Sequence, residues 1–291
     1  MIPTYNCADL LKKAIESVSN QTFLDYEILI IDNYSTDHTN DVLNSFKNLG
    51  LRLFKVNNNG IIAISRNVGI KNARGEWIAF LDSDDVWYPE KLEFIKREIE
   101  KEIKAILICH NEWCVVNGKK EKILKHGPSS DNMYENLIFY GNCISTSATC
   151  LEAKVAVSSG GFSEEKKYIT VEDYEYWVRL SKLGRFHFIE YILGDWNIHK
   201  NNYSNSIQIH SEAFISLKEY LFDLWLIKKP KDTFKVRFGL GRAYYATARN
   251  FQKFKIYSKA KKHLKLSLSF NPFQIKSLLL FIIIFLRIDK K

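Results

Sequence analysis

The sequence predicts an α/β fold, a mostly parallel sheet flanked by helices, followed by a helical, basic C-terminal extension. Three observations predict it. Apolar, β-branched runs alternate with stretches of helical periodicity through the first half of the chain. Two of those runs, Glu27–Asp32 and Trp77–Leu81, pass directly into acidic residues. Beyond about His199 the strand signals stop. With 291 residues, 46% apolar and 14% aromatic, the chain can bury a sizeable core, which excludes disorder, a collagen-like fibre and a small disulfide scaffold.

Each element has a local reason. Leu10–Ser19 repeats Leu10, Leu11, Ala14, Ile15 and Val18 at helical spacing. Glu27–Asp32 reads as a buried strand, Asp41–Leu49 as a helix, Leu51–Val56 as a strand and Ile64–Ala73 as a helix. Gly75 punctuates before a second buried strand, Trp77–Leu81. Strand and helix in turn imply a parallel sheet covered on both faces, with ligands beyond the carboxyl ends of its strands. From Leu107 to Ile192 the pattern is mixed, with short strands expected at Ala105–His110 and Ile144–Ala148 and a helix at Glu172–Leu183. The last third reads as helices over Ser211–Ile227 and Phe234–Leu268, broken by Asn271-Pro272 before the apolar run Leu278–Leu286. The expected domains are 1–200, itself split into 1–110 and 111–200, and 201–291.

Net charge is +9, unevenly spread. Residues 228–291 hold 17 Lys and Arg against two acids, a balance of +15, while residues 1–227 carry −6. The five cysteines (Cys7, Cys109, Cys114, Cys143 and Cys150) include no CxxC pair, so free thiols in a reducing compartment are expected rather than a zinc site. The run Leu278–Leu286 has nine residues, short of the ~20 that span a bilayer. No signal peptide is read at the start, where the amphipathic run follows at once.

Four groups of residues could carry chemistry. Asp82-Ser83-Asp84-Asp85 follows the second buried strand; its carboxylates suit a hard divalent ion shared with phosphate, or form a capping turn. Asp32-Asn33-Tyr34-Ser35-Thr36-Asp37 closes the first, as a base or ribose contact or as a turn. Arg66, near a helix start, could meet phosphate or lie on the surface. Glu172-Asp173 opens a helix, favoured there by the dipole or serving as a general base.

Taken in order, these pieces resemble a family 2 glycosyltransferase. The matching segments are Ile2-Pro3-Thr4-Tyr5-Asn6, Ser19-Asn20-Gln21-Thr22, Ile31–Asp37, Ser65-Arg66-Asn67, Gly75-Glu76, Phe80–Asp85, Gly160-Gly161-Phe162 and Glu172-Asp173, across roughly residues 1–200. The resemblance implies a GT-A-like, Rossmann-type fold and an inverting, non-processive enzyme. It implies Asp173 as catalytic base, with Glu172 and Trp177 on the acceptor side. Tyr5, Asp32, Asn33, Arg66, Asp82, Ser83 and Asp84 would bind the nucleotide sugar, and Asp84 and Asp85 would hold Mn²⁺ or Mg²⁺. Many relatives have Asp where Asn33 stands; its carbonyl oxygen is expected to accept from a uracil N–H. The family also supplies a fuller first strand than Met1-Ile2 before Pro3, and so short a strand is expected to cost stability. No QxxRW-like motif follows Trp177, which argues against a processive synthase.

The implied partners are a nucleotide-diphosphate sugar, UDP-linked, and a saccharide or lipid-linked acceptor. A nucleotidyltransferase would need a Gly-rich phosphate loop near the start, and none is present. Intact Asp82, Asp84 and Asp173 argue against a catalytically silent sugar-nucleotide-binding or scaffold protein. For the basic tail, a solvated helical face, nucleic acid and an anionic membrane surface compete. The membrane is favoured, because basic residues and an apolar anchor occur together and nothing in the acidic body suggests nucleic acid. The expected location is cytoplasmic, peripheral on the inner face of the cell membrane.

Overall fold

A computed structural model describes residues 1–101, 104–198 and 207–288. The chain forms two compact units. One, α/β in character, comprises 1–137, 142–166 and 172–200; the other, helical, comprises 138–141, 167–171 and 201–291. The expected boundary at residue 200 falls at 199–206, outside the described residues.

In the first unit the order is β1 (Ile2–Thr4), α1 (Ala8–Ser19), β2 (Leu29–Asp32), α2 (Thr39–Ser45), β3 (Arg52–Lys55), α3 (Ile62–Asn72), β4 (Trp77–Ala79), β5 (Val86–Trp87) and α4 (Lys91–Glu100). It continues with β6 (Ala105–Val116), β7 (Lys119–Leu124), α5 (Met133–Tyr140, whose residues from Ile138 onward belong to the helical unit), β8 (Thr149–Glu152), α6 (Ala153–Ser158), α7 (Glu172–Leu180) and β9 (Arg185–Ile198). Strands β1, β2 and β3 are parallel, with Ile30 opposite both Ile2 and Leu53. The second sheet runs β4-β8-β6-β9-β5, with β7 on β6. Met1 joins the two: its amine donates to the Ala79 carbonyl at 2.7 Å and its carbonyl accepts from the Leu81 N–H at 3.0 Å. Apolar α1 residues Leu11, Ile15 and Val18 cover Ile2, Ile28 and Ile30.

The parallel pattern read from the sequence holds for β1–β3 and for β6 with β9, while β4·β8, β6·β8, β5·β9 and β6·β7 are antiparallel. Two strand expectations are corrected. The strand expected at Ala105–His110 extends to Val116 as β6, which is hydrogen-bonded on both sides. Its partner β7 follows a tight turn at Asn117-Gly118, both at positive φ, a hairpin signal legible in the sequence. Segment 144–148 is not a strand; β8 starts at Thr149. Strand β1 is short but flanked on both sides, and a cavity of about 420 Å³ beside it is lined by Met1, Ile28, Trp77 and Ile78. Burial and the nearby Lys91 lower the Met1 amine to about 5.

The helical unit contains α8 (Ile207–Lys228), α9 (Thr233–Lys253), α10 (Tyr257–Phe270) and α11 (Ile275–Ile288). The single stretch expected over Phe234–Leu268 is two helices, separated where Lys255 takes φ +60°. Ala248 and Phe251 of α9, Ala260 and Leu264 of α10, and Leu280 and Ile284 of α11 share one core. The tail's aromatics are partly absorbed by packing: Phe251 is buried, and Tyr244 stacks on Phe270. Helix α11 buries Ser277, Leu280 and Ile284 and leaves Ile275, Leu278, Leu279, Ile282 and Ile283 exposed. Among the described residues no helix is long and apolar enough to cross a membrane.

Candidate active site

The carboxyl ends of β1, β2 and β4 bring together the motifs at residues 4–7, 32–37 and 82–85. Much of the 32–37 motif holds the turn itself. Asp32 Oδ1 accepts from the Ser35 N–H at 3.0 Å, and Asp37 accepts from the Ala8 N–H at 3.0 Å and from the Thr39 hydroxyl at 2.6 Å. Partial burial would raise Asp37, but these hydrogen bonds hold it below the usual carboxylate range. Asp32 itself is buried; its Oδ2 has no hydrogen-bond partner and lies 3.9 Å from Lys55 Nζ. Tyr5 and Tyr34, each 57% exposed, border an open hollow with Asn33, Asn57 and Gly60. The carbonyl expected to read a base is otherwise engaged: Asn33 Oδ1 accepts from the Asn58 backbone N–H at 2.8 Å. A backbone N–H can only donate, so it fixes the amide with its NH₂ group as the donor.

Beyond β4, Ser147 organises the acidic turn. Its hydroxyl donates to Asp85 Oδ2 at 2.5 Å and accepts from the Asp82 N–H at 3.0 Å. The Asn197 N–H donates to Asp85 Oδ1 at 2.8 Å, and its side chain donates to the Asp84 carbonyl at 2.8 Å. Asp85, expected at the metal, is therefore turned inward with both oxygens engaged. Burial, then Asp84, Glu112 and Asp82, push its carboxyl well above the ordinary range. Asp82 and Asp84 are half-buried at the turn. Ser83 contacts Cys7 Sγ at 3.1 Å.

Arg66 on α3 is not a surface residue. It is 4% exposed, donating to Asp82 Oδ1 at 2.9 Å and to Glu172 Oε1 at 2.6 Å, with its guanidinium 5.2 Å from the centre of the Phe162 ring. Burial opposes its charge, but the two carboxylates more than compensate and hold it firmly protonated. This bridge ties the end of β4 to the start of α7. There Asp173 Oδ1 accepts from the Tyr174 N–H at 2.7 Å, and Oδ2 accepts from Asn142 Nδ2 at 3.3 Å. Burial and the neighbouring Glu172 push Asp173 up to about 7, against the opposing pull of Arg66.

Trp177, expected on the acceptor side, lies in the interior of the unit. It is 0% exposed and sits in a ring cluster, edge-on to Phe80 and Phe162 and stacked with Tyr176 at 5.5 Å. Position 177 lies on the inward face of α7, whose neighbours Tyr176, Val178 and Leu180 are also buried. The Gly160-Gly161-Phe162 motif is held by Asn67, which accepts from the Phe162 N–H and donates to its carbonyl, both at 2.8 Å. At Gly161, φ is +72° and a Cβ would stand 2.3 Å from Asn67 Oδ1, so only glycine fits. Ser147, Asn197 and Asn142 were not singled out in the sequence. Each acts across 31 to 113 residues of chain, and no local pattern marks such a partner.

Residues 1–150 match the family model for glycosyl transferase family 2. An uncharacterized glycosyltransferase of Rickettsia felis is 38% identical over 141 residues, which are 47% of this chain and 23% of that protein, so the chain matches about a quarter of that relative's length. The UDP-Glc:alpha-D-GlcNAc-diphosphoundecaprenol beta-1,3-glucosyltransferase WfaP of Escherichia coli is 31% identical over 185 residues, 63% of this chain and 70% of the relative. Among solved structures, S. aureus TarS 1-349 in complex with UDP-GlcNAc shares the fold, with a TM-score of 0.68 at 18% identity, covering 91% of this chain and 80% of that one. With more than half of its residues matched by the model and its strand-end motifs in the corresponding order, the chain belongs to glycosyl transferase family 2.

Proposed function

We propose that the protein is an inverting glycosyltransferase. It moves a sugar from a nucleotide-diphosphate sugar, UDP-linked, to a hydroxyl of a growing surface glycan or lipid-linked saccharide. One observation carries the reading: Asp173, raised to about 7, stands at the start of a helix that Arg66 ties to the acidic turn at Asp82. A carboxylate balanced near neutral pH suits a general base. Asp173 takes the proton of the acceptor hydroxyl, whose oxygen bonds to the anomeric carbon as the bond to the nucleoside diphosphate breaks on the opposite face. The configuration inverts through an oxocarbenium-like state. Tyr5, Tyr34 and Asn33 receive the base, with the Asn33 NH₂ donating to a ring carbonyl. Arg66 positions Asp82 and Glu172 rather than meeting phosphate directly.

Among the described residues no three His, Cys, Asp or Glu side chains gather to hold an ion alone. The half-buried oxygens of Asp84 and Asp82 do fit a hard cation completed by the donor's own phosphates. Bound there, such an ion offsets charge developing on the departing diphosphate. Asp84 is the direct ligand in this reading, and Asp85 supports the turn.

The WfaP name, with its undecaprenol-linked acceptor, supports a lipid-linked saccharide, and the exposed apolar face of α11 beside a +15 tail supports peripheral membrane binding. Turnover tests the first reading. Purified protein with Mn²⁺ and UDP-sugars should release UDP when an acceptor is supplied, and Asp173→Asn should abolish release while keeping UDP binding. Full activity in Asp173→Asn would remove the base assignment. For the membrane, Leu279→Gln/Ile283→Gln should reduce co-sedimentation with phosphatidylglycerol vesicles; unchanged binding would leave α11 as a solvated helix.

A further inference from the structure

The connection between α8 and α9 forms a tip on the helical unit that is basic and apolar at once. Residues 227–238 hold five cations, Lys228, Lys229, Lys231, Lys235 and Arg237, against one acid, Asp232. All five cations are exposed. Among them Ile227 is 77% exposed, Phe234 74% and Phe238 39%, and the two phenylalanine rings, one helical turn apart, lie 5.8 Å from each other. The backbone of the tip is held locally. The Lys229 N–H donates to the Trp225 carbonyl at 2.8 Å, and the Asp232 N–H to the Lys229 carbonyl at 3.0 Å. The Thr233 hydroxyl donates to the Pro230 carbonyl at 3.0 Å. The one acid is engaged by the scaffold: Asp232 Oδ2 accepts from Nε1 of the buried Trp225 at 2.9 Å.

The turn between α10 and α11 lies at the same end of the unit. Arg237 Nη2 donates to the Ser269 carbonyl at 3.1 Å, and the Ser267 hydroxyl donates to the Gly241 carbonyl at 2.7 Å, so the first turns of α9 run beside the end of α10. Two more large apolar side chains protrude there, Phe273 and Ile275. Chemistry separates the partners that could cover such an end. Protein interfaces are depleted in lysine. Single-stranded nucleic acid is held in a basic groove with aromatic platforms under its bases, whereas these side chains protrude, and Ile227 and Ile275 offer no π-face. A bilayer interface accepts both kinds of side chain, because apolar groups enter the acyl boundary while lysine ammoniums stay among the headgroups. Helix α11 alone lacks the second ingredient: between Ile275 and Leu286 it carries one cation, Lys276. Helix α10 has lysines but exposes no large apolar side chain among the described residues.

We propose that the α8–α9 tip docks the helical unit on an anionic bilayer, with Phe234 and Phe238 inserted and Lys228, Lys229 and Lys231 among the lipid phosphates. The inference rests on the peripheral-membrane reading above and divides its labour: α11 supplies apolar area, and the tip supplies the choice of anionic lipid.

The test is co-sedimentation of the full chain with phosphatidylglycerol vesicles, against phosphatidylcholine vesicles as the neutral reference. A basic residue close to an anionic surface is worth about fivefold in affinity. Lys228→Gln/Lys231→Gln should therefore weaken phosphatidylglycerol binding about 25-fold and leave the weaker phosphatidylcholine binding unchanged. Phe234→Ser/Phe238→Ser should weaken phosphatidylglycerol binding at least ~10-fold. Thermal melting by circular dichroism checks that each variant keeps its fold. Lys262→Gln/Lys265→Gln removes the same charge from exposed positions of α10 and should have much the smaller effect; an equal loss would reduce the effect to net charge and overturn the inference. An undiminished preference for phosphatidylglycerol in Lys228→Gln/Lys231→Gln would overturn it too, and a loss in Leu279→Gln/Ile283→Gln would then leave α11 as the membrane contact. Failure of the intact protein to bind either vesicle would remove the membrane reading itself. Tip variants that keep vesicle binding but lose binding to a single-stranded oligonucleotide would assign the tip to nucleic acid and overturn the proposal.

Discussion

Arg66→Met tests how the site is held together. The guanidinium is the shared partner of Glu172, whose side chain is 9% exposed, and of Asp82, at 29%. Removing it strands a nearly buried carboxylate, a change that costs ~3–5 kcal/mol when one partner of a buried pair is deleted. Asp82, more exposed, contributes the smaller share. A second substitution isolates the cause: Glu172→Gln removes the stranded charge, so Arg66→Met/Glu172→Gln should recover about half of the loss or more. Urea unfolding followed by tryptophan fluorescence reads this as a lower midpoint with an unchanged slope. The same variant has a second readout. Arg66 lowers Asp173, so its removal should move the Asp173 carboxyl above about 7 and shift the pH profile of any residual activity to higher pH. A loss below ~1 kcal/mol, or a double variant no more stable than Arg66→Met, would refute the buried-bridge argument.

Four further outcomes follow from the geometry. Ser147→Ala leaves the Asp85 carboxyl and the Asp82 N–H each short of one hydrogen bond, so stability should fall by ~2–4 kcal/mol and the KM for the donor should rise; an unchanged KM would show that the turn keeps its shape without Ser147. For wild type, kcat/KM should rise with pH through about 7 as Asp173 deprotonates. The raised carboxyl holds a proton that the unfolded chain has released, so it opposes folding increasingly from the unfolded value near 3.8 up to about 7. Asp173→Asn should accordingly be more stable than wild type at pH 8 and equal to it near pH 3; equal stability at both would contradict the raised value. Trp177→Leu should cost ~2–4 kcal/mol by opening the ring cluster and leave the acceptor KM unchanged in the folded fraction, whereas a large acceptor effect without destabilisation would restore Trp177 to the acceptor side.

The amino-acid sequence by itself determined the alternation of strands and helices through residue 81, the acidic strand ends, the helical last third and the family. These features depend on local periodicity and on motifs short enough to read along the chain. Tertiary structure decided which motif residues lie open at the strand ends and which turn inward to hold the scaffold. Asp85 and Trp177 turn inward, because β-turn direction and helix phase set their side chains against Ser147, Asn197 and Phe162. Asn33 shows the same limit: its residue type allows either amide end to meet a base, and only the Asn58 N–H, 25 residues away, chooses. The charge asymmetry was visible from the start. Local pattern fixes which elements form, and packing between residues distant in the chain fixes what each side chain can reach.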